Sequence, residues 1–129
     1  MPPRVLVVED DLVNLELVIA LLEQEGCQVL TAESAEAALR LAGLERPHLI
    51  LMDLQLPGMT GYEATQKLKA DPATAGIPVV VCTAQAMRGE EEKAKAAGCD
   101  AYIAKPLDPE VFRETLLRFL PRREAPAGL

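Results

Sequence analysis

Glu9, Asp10, Asp53, Thr83 and Lys105 are the side chains whose types could do chemistry together. Each closes a short apolar run. Glu9, Asp10 and Asp11 follow Val5-Leu6-Val7-Val8, and Asp53 follows Leu49-Ile50-Leu51-Met52. Thr83 follows Val79-Val80-Val81-Cys82, and Lys105, ahead of Pro106, follows Tyr102-Ile103-Ala104. Carboxylates, a hydroxyl and an ammonium make a set suited to a divalent metal ion and a phosphoryl group. Magnesium takes oxygen ligands, keeps several waters and commonly combines a few carboxylates with phosphate oxygens. A carboxylate such as Asp53 can also be a nucleophile that forms an aspartyl phosphate. Glu9 and Asp10, read as a buried pair, should repel, and Asp53 in the same site adds to the repulsion. A divalent cation removes the conflict.

Taken singly, each residue has a plainer role. Asp11 is best read as the cap of a following helix. A lone Asp53 would be a turn residue, a lone Thr83 a satisfied hydroxyl and a lone Lys105 a solvated lysine. Specificity comes from their joint placement at four run ends. Such runs read as strands buried on both faces, and in open α/β sheets ligands bind beyond the carboxyl ends of the strands.

The elements that must position these groups alternate regularly. Strands are predicted at 4–8, about 28–32, 49–52, 78–82 and about 101–104. The first helix covers about 12–25, with Leu15, Val18, Ile19 and Leu22 on one face, Asp11 as cap and Gly26 as stop. The second covers about 35–45 and is capped by Ser34. The third starts at Thr60-Gly61-Tyr62-Glu63, which has the form of a capping box, and ends near Asp71-Pro72. The fourth, about 86–97, is the most polar, with Met87 its only large apolar residue and Gly98 at its end. The last starts at Asp108-Pro109-Glu110, with Pro at the first helical position. Five strand–helix units in order imply an α/β fold, a doubly wound parallel sheet.

The bulk numbers fit one domain. The chain has 129 residues, half of them hydrophobic, enough for a sizeable core. Trp is absent and aromatics are 3%, so that core is aliphatic. The domain is expected to span 1–120, with 121–129 a short flexible tail and no output domain in the chain. A net charge of −7 argues against direct nucleic-acid binding, which needs a basic patch. No apolar stretch is long enough to span a membrane, and a cytoplasmic location is expected. Cys27, Cys82 and Cys99 match neither a zinc site nor a disulfide framework. Cys27 and Cys82 read as buried thiols; Cys99 falls in a loop.

The motifs Val7-Val8-Glu9-Asp10-Asp11, Leu51-Met52-Asp53 through Gly61, Thr83-Ala84 and Tyr102 through Lys105-Pro106 occur together and in order. In these the chain resembles the receiver domain of two-component response regulators over nearly its whole length. Asn14 and Thr83-Ala84-Gln85-Ala86-Met87 look most like single-domain cell-division regulators and hybrid-kinase receivers. The resemblance implies the flavodoxin-like strand order 2-1-3-4-5, which makes Asp10 and Asp53 neighbours at the switch point. It also implies roles. Asp53 would accept the phosphoryl group. Magnesium would be held by Glu9, Asp10, Asp53 and the backbone carbonyl of Gln55. Lys105, the Thr83 hydroxyl and the Ala84 N–H would meet phosphoryl oxygens, with Thr83 and Tyr102 as switch residues. Lys105-Pro106 would be a cis peptide. Glu9 stands where many receivers have Asp, which adds a methylene to the metal site.

The implied partners are a sensor histidine kinase or phosphotransfer protein and a downstream protein. His48, the only histidine, precedes the strand that Asp53 follows, so about 16 Å separates them. The donor must therefore come from outside the domain. An aspartyl-nucleophile phosphatase is an alternative, but such enzymes usually need a second acid where Gln55 stands. A flavodoxin-like cofactor-binding module is another, with Tyr62 and Tyr102 to set against a flavin. A degenerate receiver used as a scaffold is a third, against which the intact acceptor, metal and lysine positions argue.

Overall fold

Successive residues of a strand point to opposite faces of a sheet, and here that alternation splits the core in two. A computed structural model describes residues 2–83 and 89–120 of the chain. The strands are β1 (Arg4–Val8), β2 (Gln28–Ala32), β3 (Leu49–Asp53), β4 (Val79–Thr83) and β5 (Ala101–Ala104). The helices are α1 (Leu12–Gln24), α2 (Ala35–Glu45), α3 (Gly61–Ala70), α4 (Glu90–Ala97) and α5 (Pro109–Phe119). All strands are parallel, in the order β2-β1-β3-β4-β5. Leu6, Val8, Ile50, Met52, Val79 and Val81 face α2 and α3, packing on Ala38, Ala42, Ala64 and Leu68. Val5, Val7, Leu49, Leu51, Val80, Cys82 and Ile103 face α1 and α5, packing on Val18, Leu22, Phe112 and Leu116. Burial on both faces is why these runs are continuously apolar.

Local chemistry sets the helix starts. Asp11 Oδ1 accepts the N–H groups of Val13 (2.9 Å) and Asn14 (3.2 Å). Ser34 Oγ accepts from Ala37 N–H at 3.2 Å, and Asp108 Oδ1 accepts from Glu110 N–H at 2.9 Å, ahead of Pro109. Thr60 caps α3 rather than belonging to it, its Oγ1 accepting from Glu63 N–H at 3.1 Å. The reciprocal half of the capping box differs from expectation, since the Glu63 carboxylate takes the Thr60 hydroxyl at 3.4 Å. β3 runs one residue further than predicted, because Asp53 still pairs with Cys82. β4 is shifted by one, to Val79–Thr83. The predicted start of the fourth helix at 86, with Met87, and the tail 121–129 lie outside the described residues. Cys27 and Cys82 are buried thiols outside any disulfide, and Cys99 is half-buried.

One polar network closes the end of the sheet opposite the site. Lys69 Nζ donates to Ile77 O at 2.8 Å and Asp100 Oδ2 at 2.9 Å, and that oxygen also accepts from Val79 N–H at 2.8 Å. The lysine thus joins α3 to the starts of β4 and β5. Lys69→Met keeps the stem and removes the donors. It is expected to cost about 1–3 kcal/mol, as for charged hydrogen bonds generally, read as a lower urea midpoint. An unchanged midpoint would mean that the network contributes nothing.

Candidate functional site

The chain leaves β1 and β3 in opposite directions, toward β2 and toward β4, and a crevice opens between them at the switch point. Register fixes what lines it. Val8 pairs with Met52, so Glu9 and Asp53 emerge side by side, and Thr83 lies one step beyond the Asp53–Cys82 pair. Thr83 pairs with Ala104, and its carbonyl accepts from Lys105 N–H at 2.8 Å. One carboxylate oxygen from each of Glu9, Asp10 and Asp53 lies within 4.8 Å of the others. Lys105 Nζ sits 2.8 Å from Glu9 Oε1 and 3.7 Å from Asp53 Oδ1. The Lys105-Pro106 peptide is cis.

The expected buried pair of Glu9 and Asp10 is corrected in one respect. Glu9 is buried at 4% exposure, but Asp10 faces solvent. Glu9 has both oxygens engaged, one by Lys105 and the other by Asp11 N–H at 3.3 Å. Burial is what an unpaired carboxylate cannot bear, and Lys105 is what makes the burial of Glu9 tolerable. Asp53 has its pKa raised to about 7. Burial is the main cause, followed by a hydrogen bond with Glu9 that needs a proton; Lys105 opposes the shift, the Glu9 charge adds to it, and the Gln55 backbone N–H opposes it. Burial pulls Lys105 down, but the Glu9 hydrogen bond and the charges of Asp53 and Glu9 outweigh it, so the ammonium is held above its ordinary range. Cys82, fully enclosed beneath the site, is pushed by burial up to about 12 and stays a neutral thiol.

The remaining candidates sit around this centre. Thr83 is buried. Gln55 is exposed. Ala84 lies outside the described residues. Tyr102 is half-buried against the α2–α3 side of the core, and burial, then Glu90 and Glu91, raises its phenol. His48 Nδ1 accepts from Arg4 N–H at 3.0 Å, so it extends the β1–β3 pairing away from the site. One residue escaped the reading of roles. Gly61 donates its N–H to Leu54 O at 3.0 Å, and a Cβ there would collide with the carbonyl oxygen of Asp53 and lie 3.0 Å from Leu54 Cα. Only glycine lets α3 approach the Asp53 backbone this closely. A glycine at the first position of a capped helix, where it is a poor former, was the available signal.

Hard carboxylate oxygens grouped this tightly fit a small divalent cation better than a soft one. The set also brings the Asp53 carboxylate, a group that can act as a nucleophile, within reach of an ammonium. A family profile for the response regulator receiver domain matches residues 5–117. The chain belongs to the response regulator receiver family. This receiver is 43% identical over 120 residues to the polar-differentiation response regulator DivK of Brucella anthropi, covering 93% of this chain and 98% of that protein. It is similar in structure to the receiver domain of a Pseudomonas aeruginosa sensor histidine kinase, crystallised with a magnesium ion coordinated in the active site cleft. There the TM-score is 0.85 at 33% identity, over 92% of this chain and 98% of that one. The chemotaxis protein CheY4 of Vibrio cholerae gives a TM-score of 0.86 at 28% identity, over 93% and 100%. Neither the phosphatase nor the flavin-binding alternative finds support. Among the described residues, no helix is long and apolar enough to cross a membrane.

The shared proton has a measurable consequence. Without metal, folded Asp53 holds its proton up to about pH 7, whereas the unfolded chain releases it near the ordinary carboxylate value of 3.8. The folded state binds more protons in that window, so this group's contribution to stability is present below about pH 4 and is lost as pH rises through about 7. Asp53→Asn removes the term. In EDTA, its stability gain over wild type should grow between about pH 5 and about pH 8. A gain independent of pH would show that Asp53 titrates as an ordinary carboxylate.

Proposed function

We propose that this receiver is a phospho-acceptor switch in which Asp53 takes a phosphoryl group from a partner's phosphohistidine. The observation that carries the reading is Asp53 at the switch point, flanked by two further carboxylates and a lysine ammonium. An oxygen of Asp53 forms the new P–O bond while the donor's P–N bond breaks, its electron pair returning to the imidazole. Glu9, Asp10, Asp53 and the Gln55 carbonyl would hold magnesium. When bound, the cation supplies charge neutralisation and orients phosphate oxygens. Glu9 and Asp53 then need Lys105 less, and its ammonium can meet a phosphoryl oxygen instead. The Thr83 hydroxyl and the Ala84 N–H serve the remaining oxygens. Dephosphorylation is assisted by the same residues, so the chain acts only on its own phosphoryl group.

Phosphorylation adds local charge to a two-state element and biases its equilibrium. Thr83 turns toward the phosphoryl group, Tyr102 turns inward, and the surface of α4, β5 and α5 changes its partner preference. The partners in this reading are a sensor histidine kinase or phosphotransfer protein and a downstream protein, met in the cytoplasm. A net charge of −7 favours protein contacts over nucleic acid.

Two experiments test it. Incubated with a small phosphodonor and magnesium, the protein should gain one phosphoryl group by mass and Asp53→Asn none. Stoichiometric labelling of that variant sinks the acceptor assignment. Asp10 is exposed, so Asp10→Asn should fold normally, and as a lost ligand it should cost magnesium affinity at least the roughly tenfold that loss of a partner hydrogen-bonded to a ligand costs. An unchanged magnesium titration contradicts its role.

A further inference from the structure

The side chain at the start of α4 is anchored by an unusual partner. α4 opens with Glu90-Glu91-Glu92-Lys93, and its cap residue, Gly89, makes no side-chain capping bond. Glu91, Glu92 and Lys93 are exposed, as a polar helix face would be, but Glu90 is buried. The cause is Tyr62 on α3. Its hydroxyl donates to Glu90 Oε2 at 2.5 Å and lies 3.2 Å from the Glu90 carbonyl oxygen. Burial and the Glu90 carboxylate hold the phenol above its ordinary range, so it remains a donor. The other buried residues of α4 are Ala94 and Ala97, which offer little apolar area. A helix of eight residues is held mainly by tertiary packing, and here that packing is thin. The Tyr62–Glu90 hydrogen bond therefore carries a large share of the attachment of the α4 N-terminus to α3.

We propose that this hydrogen bond is a latch: it holds α4 against α3 in the unphosphorylated domain and opposes its displacement when Asp53 is phosphorylated. The inference rests on the phospho-acceptor reading and adds to it a residue on α3 that sets the resting position. Tyr62 follows Gly61, whose lack of a side chain lets α3 touch the Asp53 backbone. The first turn of α3 thus contacts the acceptor's backbone at one residue and the start of α4 at the next. Tyr62 is a positioning residue. It touches no reacting atom, and its effect on the site passes through the equilibrium of α4.

Tyr62→Phe keeps the ring and removes the donor. In the unphosphorylated protein, amide exchange over residues 90–97 should rise roughly two- to tenfold, the range for one net hydrogen bond, with β1 and β3 unchanged. Glu90→Ala should do the same, Glu90→Gln, which keeps an acceptor, should do so less, and the Tyr62→Phe/Glu90→Ala pair should fall short of the summed effects. Coupling is reciprocal, so Tyr62→Phe should bind beryllofluoride with magnesium tighter by a similar factor. Faster exchange with unchanged beryllofluoride affinity would make the bond merely structural and overturn the latch. Wild type that gains no phosphoryl group by mass overturns the underlying reading. Wild type that does gain it, with a Tyr62→Phe variant matching it in exchange and affinity, overturns the latch alone.

Discussion

The constraint on which this molecule depends is the crowding of negative charge at one edge of its sheet. Two carboxylates 4.8 Å apart, the outer limit for Glu9 and Asp53, repel by about 3–4 kcal/mol at an effective dielectric near 20. That is a large part of the roughly 5–15 kcal/mol by which a domain is stable. The domain meets the problem in two ways. Lys105 places an ammonium between Glu9 and Asp53, and Asp53 retains a proton toward neutrality. Each is a substitute for a cation. The resting site therefore offsets part of its negative charge and is ready to exchange one positive group for another.

The rest of the fold holds that edge rigid. Parallel register brings Glu9 and Asp53 to the same level with Thr83 one residue beyond, and the switch of direction between β1 and β3 leaves that end open to solvent. The two aliphatic layers fix the strands from both sides, with side chains such as Leu6, Ile50, Val80 and Phe112 at most 1% exposed. Lys69 and Asp100 tie down the far end. The polar work is thus confined to one edge, and the rest of the sheet is packed closely enough that small shifts at that edge are not absorbed within it.

Much of this was legible in the residues. The four-residue apolar runs that read as strands buried on both faces are so buried in β1, β3 and β4, whereas β5, at the sheet edge, buries only Ile103; caps such as Asp11, Ser34 and Asp108 marked helix starts correctly. The strand order came from the family resemblance, since five strand–helix units alone allow more than one winding. What stayed hidden was pairwise and long-range. The shared sheet edge of Glu9 and Lys105 was legible, but not that Lys105, 96 residues on, pairs with Glu9 as its countercharge. Nothing in Asp10 shows that it is exposed while its neighbour is buried. Glu90 belongs to the helix read as the most polar, yet it is buried, with Tyr62, 28 residues earlier, on its carboxylate. Periodicity reports which face a residue takes, not which partner waits there.

These hidden pairs share a physical logic. Glu9 and Glu90 are the two buried glutamates among the described residues; Glu9 is held by the Lys105 ammonium, and Glu90 by the Tyr62 phenol together with Lys93 of its own helix at 3.5 Å. A buried carboxylate is costly unless its partner stays in place, so each is a point where the displacement of one group must be answered by another. In the proposed switch, the answer at Glu9 is a change of cation. At Glu90 it is the movement of a helix that has little else to hold it. The firmly packed aliphatic layers on both faces of the sheet supply the stability against which these two buried charges are set.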